Sequence, residues 1–99
     1  MKIDVLYLAG CPNYLPTLAR LKRVLREEGV PGEIFELEVS DAHQAMALGF
    51  FGSPTIRING LDIDRDCRNM AETGMACRRY PGGLPPEGMI RAALKEAGK

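Results

Sequence analysis

Residues 3–12 read Ile-Asp-Val-Leu-Tyr-Leu-Ala-Gly-Cys-Pro, which joins an apolar run to a turn and a proline. The run at 3–8 is rich in β-forming residues and predicts a strand. Pro12 suits the first position of a helix, where a backbone N–H has no intrahelical partner. We therefore expect Cys11 to be the N-cap of a helix that begins at Pro12. Pro16 falls one turn inside this helix and is expected to distort it.

The rest of the chain continues the alternation of strands and helices. Apolar residues at helical spacing carry the first helix to Gly29, and residues 33–39 alternate as a half-buried strand. A capping-box spacing from Asp41 starts a short second helix. Asn59-Gly60, set between two apolar runs, predicts a β-hairpin. Pro85-Pro86 opens a last helix. The predicted order is βαβαββα, a single α/β domain over residues 1–99 with a mixed four-stranded sheet flanked by helices.

Residues 64–84 show neither helical nor strand periodicity. Loops of ~20 residues inside compact domains are usually functional or disordered. This one contains Cys67, Cys77, four arginines and Tyr80, a composition that favours a packed excursion over disorder. Its arginines are either solvated charges or groups that lower the thiol pKa or hold a substrate carboxylate through two hydrogen bonds. Arg78, beside Cys77, is the candidate for the second role.

Composition and charge exclude several classes of protein. Thirteen basic residues balance thirteen acidic ones, so no net field attracts nucleic acid or an anionic membrane. The N-terminus lacks the layout of a signal peptide, which makes the cytoplasm the expected compartment. Three cysteines are an odd set and argue against a purely structural disulfide framework. The sequence lacks the Cys-x-x-Cys spacing that is typical of structural zinc sites. We expect neither a resident metal nor a cofactor.

Two motifs together resemble those of the thioredoxin-like superfamily. They are Cys11-Pro12-Asn13-Tyr14 at the first helix and Ser53-Pro54 before the hairpin, and the similarity covers nearly the whole chain outside residues 64–84. The resemblance implies that Cys11 is a nucleophilic thiol and that Pro54 follows a cis peptide bond and packs against it. Tyr14 stands where the second cysteine of the usual pair would be. The sequence resembles small glutaredoxin-like and thioredoxin-like domains, with Cys-Pro-x-Tyr in place of Cys-x-x-Cys.

A physical reading of these residues predicts a reactive site. A thiolate at a helix N-terminus is stabilised by unpaired N–H groups and by the helix dipole. Tyr14 lies about one turn further on, where its hydroxyl could donate to the sulfur or its ring could cover it. A cis bond before Pro54 would leave the N–H and C=O of Ser53 free to pair with an extended peptide or with glutathione. We therefore assign substrate contacts to Tyr14, Ser53, Pro54 and Arg78.

Strand direction indicates where a partner thiol is found. If the third strand runs antiparallel to the first, the tight hairpin returns the fourth strand to the side of Cys11. The segment with Cys67 and Cys77 then begins beside Cys11, and either thiol could resolve a disulfide formed there. Cys77 is preferred because of its polar neighbours. Alternatively, Cys67 and Cys77 pair with each other.

Three functions are compatible with the sequence. The first is thiol–disulfide exchange through nucleophilic Cys11, resolved by Cys77, Cys67 or an external thiol, with a protein or low-molecular-weight thiol or disulfide as partner. The second is a thiolate carrier for a soft metal such as Hg(II), Cu(I) or an arsenical. The third is a redox-inactive thioredoxin-like adaptor that binds an extended peptide at Ser53-Pro54. Substrate, electron donor and oligomeric state stay open at this level.

Overall fold

The computed structural model describes residues 1–69 and 72–98. Its strands and helices follow the predicted order. They are β1 (Lys2–Tyr7), α1 (Tyr14–Glu28), β2 (Glu33–Glu38), α2 (Ala42–Leu48), β3 (Thr55–Ile58), β4 (Leu61–Asp62) and α3 (Glu87–Ala97), with a 3-10 turn at Arg65–Cys67 between β4 and α3.

The four strands form one mixed sheet in the order β2-β1-β3-β4. β1 is parallel to β2 and antiparallel to β3, and β3 is antiparallel to β4. Asn59 and Gly60 both have positive φ angles, 52° and 85°, as a tight hairpin turn requires. The end of β1, the start of β3 and the end of β4 therefore meet at one edge of the sheet. The predicted return of the chain toward Cys11 is confirmed.

Helices cover both faces of the sheet. α1 and α3 pack on one face, where the larger core forms around Ile3, Val5, Ile56, Ile58 and Ile90. α2 packs on the other face, where Phe50 is fully buried with Leu6, Val39 and Ala45. Side chains of a strand alternate between the two faces, and this alternation assigns Ile56 and Ile58 to the first face and Thr55 and Arg57 to the second.

The expected start of α1 is wrong by two residues. The helix begins at Tyr14 with Asn13 as its N-cap, and Cys11 lies in a turn closed by its own N–H, which donates to the Leu8 carbonyl oxygen at 3.1 Å. Pro16 is therefore the third residue of the helix. Backbone N–H groups of the first turn have no intrahelical acceptor, so a proline there removes no hydrogen bond and the predicted distortion has no cause.

Candidate thiol site at the Ser53–Pro54 junction

Ser53 fixes the position of the turn that carries Cys11. The Ser53–Pro54 peptide bond is cis, as the sequence predicts, and Ser53 is fully buried. Its Oγ accepts a hydrogen bond from the N–H of Leu8 at 3.0 Å, and the Leu8 carbonyl in turn accepts from Cys11. One buried hydroxyl thus holds the β1–α1 turn against the start of β3. The thiol of Cys11 is half-buried at this junction.

A short segment from the long excursion runs alongside the same junction. Residues 74–78, named the strap below, lie parallel to residues 50–53. Three backbone hydrogen bonds hold the strap: Gly74 N–H to Phe50 O at 3.1 Å, Ser53 N–H to Ala76 O at 2.9 Å and Arg78 N–H to Ser53 O at 2.8 Å. This pattern makes Cys77 the bridge partner of Ser53, and Cys77 is exposed to solvent.

Bridge geometry gives the direction of the Cys77 side chain. Paired residues of neighbouring strands project to the same side, and consecutive residues to opposite sides. The Ser53 hydroxyl points toward Leu8 and the Cys11 turn, whereas Arg78 points into the other face of the sheet, where it meets Asp62. Cys77 therefore projects toward the side of the Cys11 turn. The fold thus places Cys77 in register with Ser53, the residue whose hydroxyl holds the Cys11 turn.

The expectation that Ser53 has free backbone groups is wrong. The strap occupies its N–H and its C=O. The Tyr80 hydroxyl donates to the Pro54 carbonyl oxygen at 2.8 Å, and Pro54 has no N–H to offer. Every backbone donor and acceptor of Ser53 and Pro54 is therefore satisfied within the chain.

Arg78 anchors the strap. Its two terminal nitrogens donate to the two carboxylate oxygens of Asp62 at 2.8 and 2.9 Å, and both side chains are only 5% exposed. The guanidinium also lies over the rings of Phe51 and Tyr80, 4.6 and 4.5 Å from their centroids. A group so engaged has no free pair of donors for a substrate carboxylate. This departs from the substrate contact predicted for Arg78, and it gives Arg78 a structural role.

The residues around Arg78 fit it closely. Burial raises the pKa of Tyr80 well above its usual range, although the charge of Arg78 opposes the shift, so the phenol stays neutral and donates to Pro54. Gly52 is buried against the strap, and a Cβ added there would lie 2.8 Å from the Arg78 Cβ and 3.1 Å from its Cα. Only glycine fits at this contact.

Sequence reasoning missed three members of this site: Leu8, Gly52 and Asp62. Only the glycine carries a signal, because a Gly directly before Ser-Pro often marks a close approach of two backbones. For Asp62 the sequence pattern is misleading. In the run Leu61-Asp62-Ile63 the alternation of apolar residues places the aspartate on the solvent side, yet Leu61 is 49% exposed and Asp62 is 5% exposed.

Cys67 occupies a different environment from the other two thiols. It lies at the end of the 3-10 turn and is half-buried. Burial raises the pKa of the Cys67 thiol, and the carboxylates of Asp64 and Asp62 add to the shift, while Arg78 opposes it. The thiolate, the form that attacks disulfides, is therefore disfavoured at Cys67.

We expect Cys67 to react more slowly with iodoacetamide at neutral pH than the exposed Cys77. The physical reason is the raised pKa of Cys67, which leaves less thiolate at pH 7. Peptide mapping of the partly alkylated protein measures the two rates in one sample. The difference should narrow as the pH is raised toward the pKa of Cys67. Faster labelling of Cys67 than of Cys77 at pH 7 would contradict this assignment.

Tyr14 packs beside the thiol through its aromatic ring. The ring stacks on that of Tyr7 with centroids 3.7 Å apart and planes 6° from parallel. Its N–H donates to the Cys11 carbonyl oxygen at 3.3 Å, so the residue lies next to the thiol. Within residues 1–69 and 72–98 no hydrogen bond joins its hydroxyl to the Cys11 sulfur. The stack closes one side of the turn and contacts the larger core.

The other arginines of residues 64–84 bond to α3 or are exposed to solvent. Arg65 and Arg68 both pair with Glu96 of α3, the latter at 2.6 Å, while Arg79 is exposed. A surface cavity of about 190 Å³ is at the hairpin end of the sheet between β4 and α3. Among the described residues, no three Cys, His, Asp or Glu side chains form a group that could hold a metal ion.

No helix within the described ranges is long and apolar enough to cross a membrane. Comparisons of the chain with protein-family models, with curated proteins and with solved structures gave no match. The assignment of a function to the Ser53–Pro54 junction therefore depends on its geometry.

Proposed function

We propose that this chain is a thioredoxin-like thiol protein that exchanges thiols and disulfides through Cys11, with Cys77 as the resolving thiol. The observation that carries the proposal is the double engagement of Ser53. Its hydroxyl holds the Cys11 turn through Leu8, and its backbone pairs with the strap at Cys77. In this proposal Cys77 supplies the second thiol that is absent at position 14.

The reaction balances with two thiols and one external disulfide. The Cys11 thiolate attacks one sulfur of a disulfide R–S–S–R, forming a protein–S–S–R mixed disulfide and releasing one thiolate, RS⁻. The Cys77 thiolate then attacks the Cys11 sulfur, forming an intramolecular Cys11–Cys77 disulfide and releasing the second RS⁻. Two protons pass from the protein thiols to the leaving thiolates. The protein loses two electrons, the substrate gains them, and a dithiol reductant reverses the change.

Two features support the thioredoxin-like assignment. One is the strand order β2-β1-β3-β4 with β1 parallel to β2 and antiparallel to β3. The other is a cis-proline at the start of β3, next to the turn that carries the thiol. Such chemistry belongs in a reducing compartment, where an odd number of free cysteines is ordinary, and the cytoplasm is the compartment we propose.

The two other functions gain less support. A peptide-binding adaptor would need the backbone groups of Ser53 that the strap occupies. A soft-metal carrier would draw on several thiolates, but burial and the carboxylates of Asp64 and Asp62 disfavour the thiolate form of Cys67. Cys67 is for the same reason the weaker candidate for the resolving thiol.

Disulfide mapping tests the proposal. The reduced protein is oxidised with glutathione disulfide, digested and analysed by mass spectrometry. We expect a Cys11–Cys77 disulfide in the wild type and in Cys67→Ser, the matched control. In Cys77→Ser we expect Cys11 to be trapped as its glutathione mixed disulfide. A wild type that forms a Cys67–Cys77 disulfide, or a Cys67→Ser protein that cannot form the Cys11–Cys77 disulfide, would contradict the proposal.

A further inference from the structure

We infer that the strap determines the substrate class: it excludes extended peptides from the Cys11 site, which leaves low-molecular-weight disulfides as the substrates. This inference rests on the proposed function and names its substrate. Exposed backbone groups beside a reactive residue are where an extended peptide adds as a further strand. At this junction the strap already occupies the position of that further strand.

The first argument is the hydrogen-bond count at Ser53–Pro54. An extended peptide pairing with Ser53 needs the Ser53 N–H as donor and its C=O as acceptor. Ala76 and Arg78 hold both groups, at 2.9 and 2.8 Å. The remaining acceptor, the Pro54 carbonyl, is bonded to the Tyr80 hydroxyl. A peptide therefore has to displace the strap before it forms any backbone hydrogen bond there.

The second argument is that the strap is fixed at its end by a buried side chain. Arg78 is 7% exposed and bonds both oxygens of Asp62. Lifting the strap would separate this pair and leave a buried carboxylate without its counter-ion, which is strongly unfavourable. The close fit of Gly52 against the Arg78 backbone adds apolar contact to the same anchor.

The third argument concerns distance. A peptide that added to the outer edge of the strap instead would lie one strand spacing, ~4.8 Å, further from Ser53. The α-carbons of two cysteines in a disulfide are usually no more than ~7 Å apart. A peptide cysteine at the outer edge is therefore poorly placed to bond to Cys11. A small disulfide needs no strand pairing, and it can approach the half-exposed thiol from solvent.

Rates on two disulfides test this inference. The reduced protein is mixed with glutathione disulfide or with the disulfide dimer of a short unstructured peptide, and each rate is divided by the rate of dithiothreitol with the same disulfide. We expect the normalised rate to be at least ~10-fold lower for the peptide. This is the ratio expected if the peptide first has to break the two backbone hydrogen bonds between Ser53 and the strap. Gly52→Ala, which crowds the strap, should reduce the discrimination, whereas Gly74→Ala, with open space around its added Cβ, should retain it.

Hydrogen exchange supplies a second readout. The amides of Ser53 and Arg78 should be protected in the reduced wild type, since both are bonded within the strap pairing. Equal normalised rates on the two disulfides would overturn the inference and leave the proposed function standing. A Gly52→Ala protein that has lost this protection and still discriminates would also overturn it. Reaction with neither disulfide would remove the proposed function itself, and the inference with it.

Discussion

Replacing Arg78 by Met is expected to lower the free energy of unfolding by about 3 to 5 kcal/mol. The change removes the partner of Asp62 inside the second face of the sheet, where both side chains are only 5% exposed. The carboxylate keeps one hydrogen bond, from the Asp64 N–H at 2.8 Å, and loses both that come from the guanidinium. Urea denaturation of the reduced protein measures the change.

Arg79→Met is the matched control, because Arg79 is the next residue in the chain and is exposed. We expect it to alter the unfolding free energy by no more than about 0.5 kcal/mol. Asp62→Asn combined with Arg78→Met removes the stranded charge and should recover part of the loss. A loss below about 1 kcal/mol for Arg78→Met alone would contradict the view that this pair anchors the strap.

Replacing Gly52 by Ala is expected to lower the free energy of unfolding by about 1 to 3 kcal/mol, the usual cost of overpacking. The added methyl group would lie 2.8 Å from the Arg78 Cβ and 3.1 Å from its Cα. Because a backbone atom is involved, side-chain rotation alone cannot relieve the contact, and the strap has to move. Loss of exchange protection at the Arg78 amide would show this movement directly.

Gly74→Ala is the control for this second prediction. It makes the same substitution in the strap, but nothing lies within 4 Å of the added Cβ. Its unfolding free energy should stay within about 0.5 kcal/mol of the wild type. Equal losses for the two glycine variants would mean that the effect does not come from the contact with Arg78.

Much of the fold could be predicted because its signals are local. The hairpin at Asn59-Gly60 needs two residues that tolerate positive φ, and these two supply them. The second helix begins where Asp41 accepts from the Gln44 N–H at 2.7 Å, a contact between residues three apart. Such features depend on neighbours in the chain, so a pattern of a few residues is enough to recognise them.

The start of α1 shows where a local rule fails. Pro12 fits the first position of a helix, and so the sequence favours a start there. In the fold the N–H of Cys11 bonds back to Leu8, and Leu8 is held by Ser53, which is distant in the chain. That tertiary contact keeps Cys11 and Pro12 in a turn. The helix begins only beyond the residues held by these hydrogen bonds, at Tyr14.

From the sequence alone one could determine the element order, the junction that carries Cys11 and the return of the chain toward it. These features depend on turn preferences and periodicity, which are properties of residues close together in the chain. Only the tertiary structure decided that Asp62 is buried, that Arg78 is its partner and that Cys77 pairs with Ser53. These contacts join residues many positions apart. Asp62 is buried although the strand pattern by itself assigns it to solvent, because Arg78, from residues 64–84, covers that face of the strand.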